Sequence, residues 1–518
     1  MFIDFRTLTE GSRIESDLCI IGAGAAGITV AREFIGSGIR VCLLESGGLE
    51  FDDETQALYQ GENVGLPYFD LDACRLRYFG GTTNHWAGWC RPLSQIDFES
   101  RPHVPYSGWP IARSDLDPFY ERANQIVEIG PYIYGERYWQ ERQIRPPEFN
   151  RDLLQMDYWR FSPPTRFGSV YRQELEKNDN VKVLLYANVT NIQANTAASA
   201  VNYVDVRSLT GSRGLVVAKI FVLACGGVEN PRLLLLSNGV ETQGLGNGHS
   251  LVGRFFMEHP RIDAATVISA EADHLQEIFN IRESPDSGVL GQPCLSPSRD
   301  VQFEKGILNC AAMLQFSLRN WERGIWHSWH GSEVPRDYWR TVGDTIRDLD
   351  EVPADAYGYF VHGHLPSIYL DMVGEQAPNP DSRVTLSEDR DRLGLNRPRV
   401  DWRLTEPDKQ SMAELVKVIG REFGRLNIGR VKLADWLMEK DGTWPASLSG
   451  ANHHMGTTRM ADDPKSGVVD SNCRMHGIHN LYIAGSSVFP TSGSGAPTLS
   501  IVALSLRLAE HLKGRIME

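Results

Sequence analysis

The sequence predicts an α/β fold: a Rossmann-like dinucleotide-binding domain discontinuous in sequence, joined to a second domain of mixed α+β character. Three observations carry this. A four-residue apolar run ending at Ile21 leads directly into Gly22-x-Gly24-x-x-Gly27. A second apolar run follows and closes on Glu45. Strand-like apolar stretches then return far downstream, near residues 181–192 and 219–224. At 518 residues the chain is also too long for one simple core, so two domains are the natural division.

The N-terminal unit has a physical reading at each position. Gly22 permits the tight turn, Gly24 lets the backbone approach a pyrophosphate, and Gly27 lets the following helix pack on the strand. That helix, about residues 25–37, turns the free N–H groups of its first turn (Ala26 among them) and its positive dipole end toward phosphate. Glu45, with Ser46 beside it, stands 21 residues after Gly24, where a carboxylate can accept from ribose hydroxyls. An acidic strand end favours an unphosphorylated ribose, as in FAD or NAD, over NADP.

Further along, residues 181–192 read as a strand and 200–224 as a hairpin about Gly211. Cys225-Gly226-Gly227 then turns into a helix bearing Asn230-Pro231-Arg232. Residues 261–444 differ, with strand-like stretches at 307–316 and 367–373 and one amphipathic helix at 408–426. They also hold a patch of Trp321, Trp326, Trp329 and Trp339, read either as a cavity lining or as the core of a lid or domain interface. These residues are assigned to a substrate-facing domain.

Bulk properties exclude several functions. A formal net charge of −14 argues against nucleic-acid or anionic-membrane partners. The N-terminus shows no basic segment followed by an apolar core, and no run of ~18 apolar residues could span a membrane. The eight cysteines are scattered without a CxxC pair, so no metal or iron–sulfur site is expected. Several sit inside apolar runs, which suits small buried thiols in a reducing cytoplasm.

Several segments, taken in order, resemble the glucose–methanol–choline (GMC) oxidoreductase family. They are the glycine turn with Glu45, Arg77-Tyr78-Phe79-Gly80-Gly81-Thr82-Thr83-Asn84-His85-Trp86, and Val252-Gly253-Arg254-Phe255-Phe256-Met257-Glu258-His259-Pro260. Pro378-Asn379-Pro380-Asp381-Ser382-Arg383-Val384, His453-His454-Met455-Gly456-Thr457 and Asn480-Leu481-Tyr482-Ile483-Ala484-Gly485-Ser486 complete the set. The glycine-rich segment ending in His-Trp is most similar to the branch of sugar oxidases and dehydrogenases.

The resemblance implies FAD, and oxidation of an alcohol or sugar CH–OH by hydride transfer to flavin N5. It implies a flavin domain from residues 1–98, 160–260 and 445–518, and a substrate domain from 99–159 and 261–444 built on an antiparallel sheet. Gly81, Thr82 and Asn84 would line the flavin edge, Val189 the adenine, and Gly485 and Ser486 the pyrophosphate or ribityl chain. In some relatives the residue matching His85 is covalently bonded to the flavin; packing of His85 and Trp86 on the dimethylbenzene ring is the reading preferred here. Ala496, Pro497 and Thr498 open a last helix whose positive end would face the flavin pyrimidine.

By the same resemblance His453 is the base that takes the hydroxyl proton, a task suited to imidazole. On an extended segment His454 would face the opposite way, and the reverse assignment, His454 active and His453 structural, stays open. The family's second active-site residue is usually His or Asn, at the position of Ala496. A methyl group can neither orient a hydroxyl nor share its proton. Either Ser494, Ser492, His454 or a substrate group replaces it, or the substrate needs only one base, or the flavin serves a redox-neutral reaction as in lyases. A flavoprotein acting mainly as a binding partner or redox sensor is a further alternative. Expected partners are a small-molecule substrate and an acceptor that is oxygen, a quinone or a protein.

Overall fold

The computed structural model describes residues 1–285, 287–317, 367–439 and 442–517. The predicted Trp321, Trp326, Trp329 and Trp339 patch lies outside them. Six short strands form one all-parallel sheet in the spatial order Phe2–Asp4, Val181–Leu185, Val41–Leu44, Leu18–Ile21, Ile220–Leu223 and Leu481–Ile483. Four of them, Leu18–Ile21, Val41–Leu44, Ile220–Leu223 and Leu481–Ile483, are buried at every residue, which is why they read as unbroken apolar runs. The sheet thus gathers strands from both ends of the chain, and the fold is the discontinuous α/β type predicted.

A four-stranded sheet (Ser12–Glu15, Arg213–Val217, Val201–Arg207 and Asn188–Ala194) stands beside it. The largest sheet is antiparallel: Arg430–Leu433, Arg261–Ile268, Ser367–Gly374, Cys310–Ser317, Leu290–Pro297, Leu154–Phe161 and Trp89–Cys90, with Arg282–Glu283 at the side. The helix Glu406–Arg425 covers it and seals a second core that includes Leu370, Met372, Leu415 and Phe423. Thr405 and Asp408 form its capping box, which explains the sharp start.

Three local expectations change. Residues 181–192 form two strands, because Tyr186 takes a left-handed conformation (φ 57°). Its N–H donates to Gly47 O at 2.9 Å and that of Ala187 to Glu45 O at 2.8 Å, so the chain closes on the Glu45 loop. The predicted 200–224 hairpin is Val201–Arg207 paired with Arg213–Val217; the third run, Ile220–Leu223, crosses to the parallel sheet. The first helix ends at Arg32, and 33–37 continue as tight turns, where Glu33, Phe34 and Ile35 donate three residues back.

The last helix, Pro497–Met517, packs against Ala25–Arg32 and Asp117–Ile126. Its Ser500 shares a 2.7 Å hydrogen bond with the Tyr120 hydroxyl. Leu499, Val502, Leu506 and Leu512 are fully buried, and Ala496 is buried just before the helix begins.

Candidate active site

Three neighbouring strands of the parallel sheet, Leu18–Ile21, Ile220–Leu223 and Leu481–Ile483, each run into a glycine turn. At Gly24, Gly226 and Gly485 the place where a side chain would begin has no atom within 4 Å. Gly22 and Gly27 are the reverse case: a Cβ there would lie 2.7 Å from Ala224 O and 1.9 Å from Gly22 O. The turns pack tightly beneath and stand open above, at the carboxyl ends of the strands, where α/β sheets bind ligands. Gly24 caps the first helix with no side chain, so its N–H groups remain for a ligand.

Glu45 is buried, and its carboxylate accepts from Ala23 N (3.0 Å) and Gly47 N (2.9 Å). It holds the glycine turn as well as standing at the strand end. Ser46, Tyr186 and Asn188 line a cavity of about 150 Å³ next to Val189. Gly81, Thr82 and Asn84 form a single 3₁₀ turn entered through Gly80 (φ 97°). Gly80 N donates to Ala23 O at 2.9 Å, so this loop lies against the dinucleotide turn. His85 ends the turn and is exposed. The Trp86 indole donates to Thr165 O at 2.9 Å, which anchors its ring. Ser486 donates to His454 O at 2.7 Å, tying the last of the glycine turns to the histidine segment.

That segment, residues 449–455, runs antiparallel to residues 257–261. Met257 and Met455 exchange backbone hydrogen bonds at 2.9 and 3.0 Å. Between the two stretches lie two separate networks, one on each side. On one side His454 Nε2 contacts the Tyr68 hydroxyl at 2.9 Å, and that hydroxyl donates to Glu258 Oε1 at 2.9 Å. His454 also stacks on Phe256, and its Nε2 lies 3.7 Å from Cys74 Sγ. Burial, then the charge of Arg75, lowers its pKa to about 3. Neighbouring side chains thus hold His454 on all these contacts.

On the other side His453 Nδ1 and His259 Nδ1 are 2.8 Å apart. His259 Nε2 sits 2.9 Å from Gly493 O and 3.3 Å from Ser492 O, and both of these only accept. The His259 proton is therefore on Nε2, and its Nδ1 carries the lone pair. His453 must then donate from Nδ1, which leaves its Nε2 as the basic nitrogen. Burial pulls the His259 pKa down to about 4, and burial followed by the neighbouring histidines and Arg261 holds His453 well below its ordinary value. Both rings are neutral at pH 7. His453 is half-buried.

Glu258 holds the crossing together. Its carboxylate accepts from the backbone N–H of Ala451 (2.6 Å), His259 (2.9 Å) and His453. Burial pushes its pKa up to about 7 against these hydrogen bonds. Glu258 and His259 are functional residues whose roles the sequence did not assign. The available signal was two ionisable residues side by side after the apolar Phe255-Phe256-Met257.

The serines near Ala496 each accept a hydrogen bond from a neighbour. Ser492 Oγ accepts from Gln376 N at 3.1 Å, and Ser494 Oγ accepts from Arg91 Nη2 at 2.5 Å. Ala496 itself packs with Trp159, Phe161, Met313 and Val373.

A family model described as GMC oxidoreductase matches residues 378–505, and one described as FAD dependent oxidoreductase matches residues 17–250. The chain belongs to the GMC oxidoreductases. It is 24% identical to 2-methyl-1,2-propanediol dehydrogenase of Mycolicibacterium austroafricanum, over 97% of this chain and 96% of that one. It is 25% identical to the fructose dehydrogenase large subunit of Gluconobacter japonicus, over 96% and 98%. The fold is shared with a formate oxidase variant of Aspergillus oryzae RIB40 (TM-score 0.54, 15% identity, 98% and 99% covered). It is shared also with pyridoxine 4-oxidase from Mesorbium loti (TM-score 0.52, 16% identity, 96% and 99% covered).

This GMC oxidoreductase uses FAD, and the residues present fit that group. The open glycine turns suit the pyrophosphate and the cavity at Ser46 and Asn188 is polar. All eight cysteines are free thiols, and among the described residues no three His, Cys, Asp or Glu side chains are placed to hold a metal. No helix among the described residues is long and apolar enough to cross a membrane.

Proposed function

We propose that this GMC oxidoreductase oxidises the CH–OH group of an alcohol or sugar-type substrate, with His453 as the base. The observation that carries the assignment is the His259–His453 contact, which puts the lone pair of His453 on Nε2. FAD, when bound, supplies the two-electron acceptor for hydride leaving the carbon. His453 Nε2 takes the hydroxyl proton as that carbon–oxygen bond becomes a carbonyl. His259 orients His453 and keeps its tautomer; Glu258 fixes the backbone of both. His454 braces the crossing from behind, through Tyr68 and Phe256.

Gly22, Gly24, Ala26, Gly27, Glu45 and Ser46 are assigned to the dinucleotide half, with Val189 at the adenine. Gly81, Thr82, Asn84, His85, Trp86, Gly485, Ser486, Ala496, Pro497 and Thr498 are assigned to the flavin half, which we take to be held without a covalent bond to His85. Relatives named as dehydrogenases and oxidases support the redox reading over the redox-neutral one. Those names also cover oxygen and other acceptors, and we assign reoxidation to oxygen, a quinone or a protein. Eight free thiols suit a cytoplasmic enzyme.

The test is anaerobic flavin bleaching over a panel of alcohols and sugars. His453→Ala should slow bleaching by ~10²-fold or more with FAD still bound. Bleaching at the parent rate would move the base elsewhere.

A further inference from the structure

The oxidation step makes no use of one cation beside the base. Arg261 lies two residues beyond His259 and exchanges backbone hydrogen bonds with Ser449 at 2.8 and 3.1 Å. It therefore shares the face that His259 presents to His453, whereas Glu258 points to the opposite network. Its charge also acts on His453, after burial and the two neighbouring histidines.

The Arg261 guanidinium is fixed along one edge. Nε lies 3.1 Å from both Asp371 oxygens and Nη2 2.5 Å from Asp371 Oδ2, and Asp371 is buried. The Trp89 ring centroid is 5.1 Å from Cζ. The other edge, Nη1 and the second N–H of Nη2, makes no hydrogen bond among the described residues. The Arg261 side chain is 37% exposed, so a ligand can reach that edge. Trp89 packs edge-on against Trp159 and Phe161, which belong to a buried apolar cluster with Met313, Val373 and Ala496.

We propose that Arg261 seats a carboxylate of the substrate, so that the alcohol oxidised at His453 carries an acid group. The inference rests on the oxidation reading and names its substrate class. Two parallel N–H groups on a planar guanidinium match the two oxygens of a carboxylate. Asp371 on the far edge holds the plane in place, which lowers the ordering cost of binding. A neutral polyol brings no negative charge to this edge and forgoes the charge-assisted, two-point pairing.

The holoenzyme is tested anaerobically with matched pairs: D-glucuronate against D-glucose, and lactate against propane-1,2-diol. Acetate serves as a non-oxidisable probe, read as a shift of the flavin spectrum. The acid of each pair should bleach the flavin at the lower KM, and acetate should bind and compete with it. Arg261→Leu should cut the acid-to-neutral preference by about 30-fold or more and abolish the acetate shift. Arg261→Lys keeps a partner for Asp371 and the charge but loses the fork, and should fall between.

If neutral members bleach and acids neither bleach nor bind, the carboxylate seat is overturned and the oxidation reading stands. If acetate binds through Arg261 but nothing bleaches the flavin, the oxidation reading fails and the seat is kept. An unchanged preference in both variants, each carrying full FAD, also overturns the proposal.

Discussion

Replacing His259 with phenylalanine keeps a ring of similar size and removes both nitrogens. The 2.8 Å contact to His453 Nδ1 and the 2.9 Å contact to Gly493 O disappear together. Each leaves a partner without its mate, at a cost of roughly 1–3 kcal/mol where it is buried. Stability should therefore fall by about 2–6 kcal/mol in denaturant titrations. The kinetic effect is separable. His453 loses the acceptor that kept its proton on Nδ1, so rings with a protonated Nε2 and rotated rings both join the population. A loss of about 2 kcal/mol in the transition state corresponds to roughly 30-fold in the rate of flavin reduction. Anaerobic stopped-flow reads that rate directly and is blind to reoxidation. His259→Asn supplies an amide oxygen that can accept from His453 Nδ1, and should recover part of the rate. A His259→Phe enzyme that reduces its flavin within about threefold of the parent would refute the tautomer argument.

Two further perturbations probe the cradle and the crossing. Gly24→Ala places a methyl where nothing lies within 4 Å, so the apoprotein should keep its melting temperature while FAD affinity drops; Gly27→Ala drives a Cβ to 1.9 Å from Gly22 O and should cost folding as well. Flavin-to-protein ratios and apoprotein melting separate the two, and equal behaviour would contradict the open-above, packed-below geometry. Glu258, raised from 4.5 to about 7, favours the folded state at acid pH, and that contribution of about 3 kcal/mol fades as pH rises from 4.5 through 7. His259, lowered from 6.5 to about 4, acts oppositely: its contribution is present above 6.5 and is lost as pH falls through 4. Glu258→Gln should therefore gain on the parent by about 3 kcal/mol between pH 4.5 and 8, on top of a constant loss from its mispaired amide. Parallel stability–pH curves for the two proteins would count against a buried, ionising Glu258.

The dinucleotide half was legible in the sequence because its constraints are local. Gly22 and Gly27 meet backbone atoms that only glycine tolerates, Gly24 opens onto the ligand side of the turn, and fully buried parallel strands leave unbroken apolar runs. The break at Tyr186 was not legible, since a left-handed tyrosine is imposed by hydrogen bonds to Gly47 and Glu45 from a distant strand. The same limit applied to the catalytic crossing. His453 and His454 are adjacent, and alternation along an extended segment sends them to opposite sides. Which side faces substrate depends on 257–261, a stretch nearly two hundred residues away in which Glu258 and His259 alternate in the same manner.

That pairing of two alternating segments also bears on Ala496. Ser492 accepts from Gln376 and donates to Gly493, and His454 is turned to Tyr68, so neither is free to stand in for a second active-site donor; Ser494 accepts from Arg91 and keeps its own O–H. The methyl of Ala496 instead joins Trp159, Phe161, Met313 and Val373 in a buried apolar cluster. With a methyl at 496, the position itself supplies no hydrogen bond to align a hydroxyl-bearing carbon. Alignment must then come from another part of the substrate, and the free guanidinium edge of Arg261 is the polar group beside His453 that can hold one. The absence of a donor at 496 and the free edge of the Asp371-paired guanidinium at 261 thus point to the same proposed division of labour: His453 acts on the reacting carbon's hydroxyl, and Arg261 sets where that carbon lies.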